Sequence, residues 1–143
     1  MKRSFIKSLS WAIKGLETSL KREKNINIHF YFAMGVLGVA YLLKINSEDF
    51  LFLLSAIFFV IITEIVNTII EYMMDILYPH YHPKVGMIKD IAAGAVLLSS
   101  LYAIVVGGVV FGKFIGLNYQ SWWPLVMMFI FVGLYLSLKF FRR

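Results

Sequence analysis

The chain has 143 residues, 60% of them hydrophobic and 17% aromatic, with a mean hydropathy of +0.78. That balance excludes an ordinary soluble domain and fits one small bundle of membrane helices. The absence of cysteine excludes a disulfide framework, a thiolate nucleophile and a cysteine metal site, whereas the net charge of +6 says nothing about partners until the charges are placed along the chain.

Residues 3–22 read as an amphipathic helix. Phe5, Leu9, Ala12, Ile13, Leu16 and Leu20 recur at helical spacing, and Lys7, Lys14 and Lys21 form a stripe on another face. This pattern suits a helix lying on an anionic membrane surface. Basic residues run through the segment and it has no continuous apolar core with a cleavage site, so it is not a signal peptide. Apolar stretches follow over residues 28–43, 50–78, 91–111 and 122–141. The first is short for a span but can continue from the helix before it. The second exceeds the roughly 20 residues a bilayer requires. The last opens with Trp122 and Trp123, placed like an interfacial belt. The connectors "KINSED", "PHYHPKVGMIKD" and "GKFIGLNYQS" read as polar loops.

With the N-terminus in the cytoplasm and four crossings, twelve of the 14 Lys and Arg residues fall on the cytoplasmic side and only Lys44 and Lys113 outside. This is a positive-inside pattern with both termini in the cytoplasm of a cell membrane. The basic excess is therefore a feature of membrane orientation. No soluble basic domain exists to present it to nucleic acid, which is excluded as a partner.

The stretch "EIVNTIIEYMMD", Glu64 to Asp75, puts three carboxylates and an Asn at the end of the second apolar stretch. On a helical wheel Asn67 lies at roughly −60° from Glu64, Glu71 at roughly −20° and Asp75 at roughly +20°. All four share one face, and helix rise puts Glu71 about 10 Å and Asp75 about 16 Å from Glu64 along the axis. An Asp at a membrane centre costs about 2.5–3.5 kcal/mol on insertion scales, so such residues face a bundle interior or a polar cavity. Three roles fit the stripe: glue between helices of an oligomer, a path for protons or cations along Glu64, Glu71 and Asp75 in a small transporter or channel, or a catalytic site at the cytoplasmic interface.

The neighbouring residues favour the third. Glu23, just before the first span, can meet Glu71 at similar depth. Two carboxylates from different helices suit a hard cation such as Mg²⁺, with phosphate oxygens completing its shell. Lys89 and Asp90 open the third span on the same side, and a lysine beside such a pair is a phosphate-handling arrangement. Glu64, deeper, is left free to accept a proton from a hydroxyl in the lipid zone. Ala92, Ala93, Gly94 and Ala95 read as a place where another helix can approach closely. One further motif is a decoy. Gly107, Gly112 and Lys113 have the spacing of a phosphate loop, but Phe114 stands where Ser or Thr would hold Mg²⁺, and no strand precedes them.

"EIVNTIIEYMMD" resembles the E-x-x-N-T-A-I-E-x-x-x-D signature of the small integral-membrane prokaryotic diacylglycerol kinases, a family that includes the undecaprenol kinases of Gram-positive bacteria. "EKNINIH" is similar to its E-R-N-x-R-I-H segment, and "HPKVGMIKDIAAGAVLL" to its H-P-x-A-K-x-A-K-D-x-A-A-G-A-V-L-L segment. The matches run in order over about residues 5–112. The resemblance implies a homotrimer of three-span subunits with an N-terminal surface helix and active sites between subunits. It implies transfer of the γ-phosphate of ATP, with Mg²⁺, to the hydroxyl of undecaprenol or diacylglycerol. By motif position Glu64 is the base and substrate contact, and Glu23 and Glu71 hold the metal-nucleotide. Asn67, Asp75, Lys89 and Asp90 line the nucleotide side, with His80, Tyr81 and His82 in the nucleotide-contacting loop. Ile70, Gly86, Ile88 and Asn27 depart from the family's usual residues, and the fourth apolar stretch, within residues 113–143, has no counterpart in it.

Overall fold

The computed structural model describes residues 4–80, 82–117 and 119–141, and every regular element among them is helical. The helices are α1 (Phe5–Arg22), α2 (Lys24–Leu42), α3 (Ser47–Leu77), α4 (Pro83–Phe114) and α5 (Tyr119–Phe141). α2, α3 and α4 are long and apolar enough to cross a membrane, and the protein is an all-helical membrane protein. The expected surface helix is α1. Phe5, Ile6, Leu9, Ile13 and Leu16 are all at least half exposed within the chain, an apolar face free to enter a lipid surface.

The spans start earlier than hydropathy alone set them: at Lys24 rather than 28, at Ser47 rather than 50, and at Pro83 rather than 91. Capping explains two of the shifts. Asn46 Oδ1 accepts from the Asp49 N–H at 2.9 Å, satisfying an orphan donor of the first turn. His82 Nδ1 accepts from the Lys84 N–H at 3.2 Å, and Pro83 fills the first helical position, where it gives up no needed hydrogen bond. Pro83 to Asp90, expected in a polar loop, are therefore two turns of α4. The fourth apolar stretch forms α5, with Pro124 inside it. Its described apolar run is Val126–Ser137. The side chains of Trp122 and Trp123 lie outside those described.

α3 and α4 form the principal antiparallel pair, and α2 packs against α3. α2 contributes Ile26, Ala33 and Ala40, seven residues apart, as its buried seam. That spacing keeps one narrow stripe facing the neighbour. At the α2–α3 turn, Ala40, Leu53 and Val110 form a core with Ile45, Phe50 and Phe111 around it. Both helix ends here close as Schellman motifs. Ile45 N–H bonds Ala40 O and Lys44 N–H bonds Tyr41 O, with Lys44 at φ 53°. Leu117 N–H bonds Gly112 O and Gly116 N–H bonds Lys113 O, with Gly116 at φ 78°.

An ion pair locks this end. The Asp49 carboxylate is buried in the first turn of α3; it accepts from Lys113 Nζ at 2.7 Å and from Asn46 Nδ2 at 2.7 Å. Each charge sits at the helix end whose dipole favours it. The lysine of the phosphate-loop decoy is thus a helix-pairing residue. Half-way along, Thr63 Oγ1 and Ser99 Oγ share a 2.7 Å hydrogen bond, with Ser99 buried. Replacing Asp49 by Asn is expected to cost about 1.5–3 kcal/mol, the range for a hydrogen bond to a charged group. Unfolding of Asp49→Asn, Lys113→Met and the double variant in mixed detergent micelles checks this. Strictly additive losses would show that the two side chains are not coupled.

Candidate active site

The buried residues of α3 run Asp49, Leu53, Ala56, Val60, Glu64, Asn67 and Thr68. The spacing of four and three residues marks one inward seam, apolar in its middle and polar towards its C-terminal end. Glu64 is 3% exposed, Asn67 6% and Thr68 4%. The seam continues to Glu71, half-buried, and to Asp75, exposed. Asn67 Nδ2 donates to Glu71 Oε1 at 3.0 Å. Asn67 Oδ1 is buried and has no hydrogen-bond partner. A buried carbonyl oxygen left without a donor is costly and marks a place where a ligand group fits.

The α1–α2 joint supplies the second wall. Glu23 is the single residue between the two helices, with extended φ −103° and ψ 114°. Asn27 Nδ2 donates to Leu20 O and to Glu23 O, tying the end of α1 to the first turn of α2. The phenol of Tyr72 on α3 donates to Glu23 Oε1 at 2.5 Å. Glu23 is thereby held beside the residue that follows Glu71. Asn25, His29, Glu71 and Glu23 are the polar groups within electrostatic reach of Glu64. The structure therefore gathers Glu23, Glu64, Asn67 and Glu71 at one end of the bundle. It adds Asn25, His29 and Tyr72, which sequence reading passed over. The available signal was the four-residue spacing of Asn25 and His29, which puts both on one face of α2.

α4 supplies the third wall. Lys89 Nζ bonds Asp75 Oδ1 at 2.5 Å, joining the two helices above the buried acids. Asp90 and His80 are exposed. His82 is exposed as well, and its cap bond occupies Nδ1 and leaves Nε2 for any ligand. Tyr81 lies outside the described residues. The small-residue run packs unevenly within this chain. Ala92 is buried, but a Cβ added to Gly94 would meet nothing within 4 Å.

Among the described residues no group of three or more acidic or histidine side chains converges to hold a metal on its own. The donors suit Mg²⁺ nonetheless. Among the described residues Glu23 and Glu71 each have one oxygen engaged in a side-chain hydrogen bond and the other left over. Mg²⁺ commonly takes one or two carboxylates and completes its shell with phosphate oxygens and water. A largely apolar cavity of about 500 Å³ runs between α2, α3 and α4, lined by His29, Ile28, Val60, Ile61, Ser100 and Phe111 among others. Its composition suits hydrocarbon.

A helical membrane bundle with an N-terminal amphipathic helix, and with acids from two helices beside a lysine at one end, has the parts of a membrane lipid kinase. The family described as prokaryotic diacylglycerol kinase matches residues 10–111. The chain is 32% identical over 102 residues to a diacylglycerol kinase of Synechocystis sp., covering 71% of this chain and 58% of that protein's length. It is 28% identical over 107 residues to the undecaprenol kinase of Bacillus subtilis, covering 75% of this chain and 87% of that protein. With the diacylglycerol kinase of Escherichia coli K12 the identity is 27% over 100 residues, covering 70% and 82%. The chain belongs to the prokaryotic diacylglycerol kinase family, and so to the lipid kinases.

The family match ends at residue 111, before α5 begins at Tyr119. Removal of residues 119–143 is therefore expected to leave kinase activity largely intact in protein that inserts and assembles. Turnover of the truncated chain against the full one measures this; a folded, inactive truncation would place α5 in the working site.

Proposed function

We infer that this protein transfers the γ-phosphate of ATP to the hydroxyl of a membrane lipid alcohol at the cytoplasmic face of a cell membrane. The observation that carries the reading is the buried Glu64–Asn67–Glu71 run, with a carbonyl oxygen of Asn67 lacking a donor between two acids. Undecaprenol is the favoured acceptor over diacylglycerol. The motifs have Gram-positive character, and the Bacillus subtilis relative is matched over most of its length. The apolar cavity beside His29 has the lining that a lipid tail needs.

Glu64 is the general base. It lies on the Glu71 face, about 10 Å deeper by helix rise, where a lipid hydroxyl reaches and bulk water does so poorly. As the lipid oxygen forms its bond to the γ-phosphorus and the bond to ADP breaks, the hydroxyl proton passes to a Glu64 oxygen. Asn67 lines the nucleotide side beside Glu71. Glu23 and Glu71 would hold the metal-nucleotide, where Mg²⁺ would supply neutralisation of phosphate charge. Lys89, held by Asp75, faces the phosphates, with Asp90, His80 and His82 lining the nucleotide side. Phosphoryl transfer needs chiefly such positioning and charge neutralisation. The working unit is a homotrimer with sites completed between subunits, α5 is a fourth crossing, and both termini are cytoplasmic. A proton or cation path along the same stripe is disfavoured because Lys89 closes its outer end on Asp75.

Purified protein in detergent, given labelled Mg-ATP and either lipid, tests the reaction. Transfer to neither a polyprenol nor a glyceride alcohol would overturn it.

Glu23→Gln and Glu71→Gln are expected to weaken Mg-ATP binding along with turnover. Titration calorimetry with Mg-ATP gives the answer, and wild-type affinity in both variants would remove the metal assignment.

Glu64→Gln is expected to lower kcat by about 10²–10⁴-fold, the usual loss on removing a general base. Mg-ATP affinity and assembly should stay near normal. Because Gln keeps the shape and much of the hydrogen bonding, near-wild-type turnover would instead make Glu64 a packing residue.

A further inference from the structure

The bond between Tyr72 and Glu23 links residues 49 apart in sequence, and it crosses from α3 to the joint where the surface helix meets the first span. We propose that Tyr72 is a positioning residue that holds the Glu23 carboxylate ready for the metal-nucleotide. This rests on the reading of Glu23 as a metal-nucleotide ligand.

A Glu at a joint between two helices has two sources of freedom, its backbone and its side-chain torsions. The backbone of Glu23 is held by Asn27 Nδ2 on the Glu23 carbonyl and by the Glu23 N–H on Ser19 O at 2.9 Å. The side chain is held by the Tyr72 phenol, which occupies Oε1 and leaves Oε2. Tyr72 follows Glu71 on α3, about 100° further round the helix. The tether therefore holds Glu23 against the stretch of α3 that carries Glu71, so that carboxylates from two different elements serve the same end of the bundle. Fixing the side chain beforehand removes ordering entropy that cation binding would otherwise have to overcome. A hydrogen bond to the non-coordinating oxygen of a ligand carboxylate also orients that ligand. The bond adds little to folding, because Tyr72 is 41% exposed and exposed polar contacts contribute little. Its consequence lies in the site.

The test uses the full chain in detergent as wild type, Tyr72→Phe, Glu23→Gln and the double variant. Phe keeps the ring and removes only the exposed hydroxyl, so packing is preserved. Binding of Mn²⁺ with ATP is followed by loss of the free Mn²⁺ electron paramagnetic resonance signal, and KM for Mg-ATP is measured in parallel. Tyr72→Phe is expected to weaken Mn²⁺–ATP binding and to raise KM for Mg-ATP by about tenfold, with kcat and the KM for lipid within about twofold. In the Glu23→Gln background the same change should have no further effect. Wild-type binding by Tyr72→Phe alongside weakened Glu23→Gln would overturn the tether and leave the metal assignment standing. An equal loss with and without Glu23 would show that Tyr72 acts by another route, which overturns it too. If Glu23→Gln itself binds as wild type, the metal assignment falls and the tether falls with it.

Discussion

A carboxylate inside a bilayer persists only where another helix covers it, and α3 meets that condition with a single stripe. From Asp49 to Thr68 its buried residues keep to one face, and the acids are confined to the two ends of that face. Leu53, Ala56 and Val60 fill the middle and pack against α2 and α4. The polar site is thus the continuation of the hydrophobic core along the same seam. The same packing that buries the apolar part of the seam buries Glu64 and Asn67 as well. This lowers the cost of the acids and keeps them in a medium where electrostatic interactions are strong.

The two sides of the site are built differently. α4 meets α3 through direct side-chain bonds, Thr63 to Ser99 and Lys89 to Asp75. α2 reaches α3 through the joint at Glu23, where a single extended residue separates two helices. α1 carries an exposed apolar face suited to the lipid surface, and its last residue precedes the carboxylate that faces the nucleotide in the proposed reaction. In that reading α1 ends one residue before the chemistry.

Much of this was legible in the chain. Helical spacing alone put Glu64, Asn67, Glu71 and Asp75 on one face, because the 3.6-residue period needs no tertiary information. The helix α1 followed from the spacing of its leucines and lysines, and the family from three ordered motifs. Helix starts were less legible. Hydropathy registers where a chain turns apolar, whereas Asn46, His82 and Pro83 start helices among polar residues through caps and fixed backbone angles. The partners of the acids were hidden for another reason. Asn25, His29 and Tyr72 face Glu64 and Glu23 only because of how α2 crosses α3, and no local pattern encodes a crossing. Lys113, dressed as part of a phosphate loop, turned out to complete Asp49.

The three bonds between α3 and α4 stand at different heights. Asp49, Thr63 and Asp75 are spaced by about 21 Å and about 18 Å of helix rise, and each meets a residue of α4 at its own level. Sliding one helix past the other by a turn would break all three bonds at once and carry a charge into the apolar middle. The pair behaves as a plank with no gear by which to ratchet.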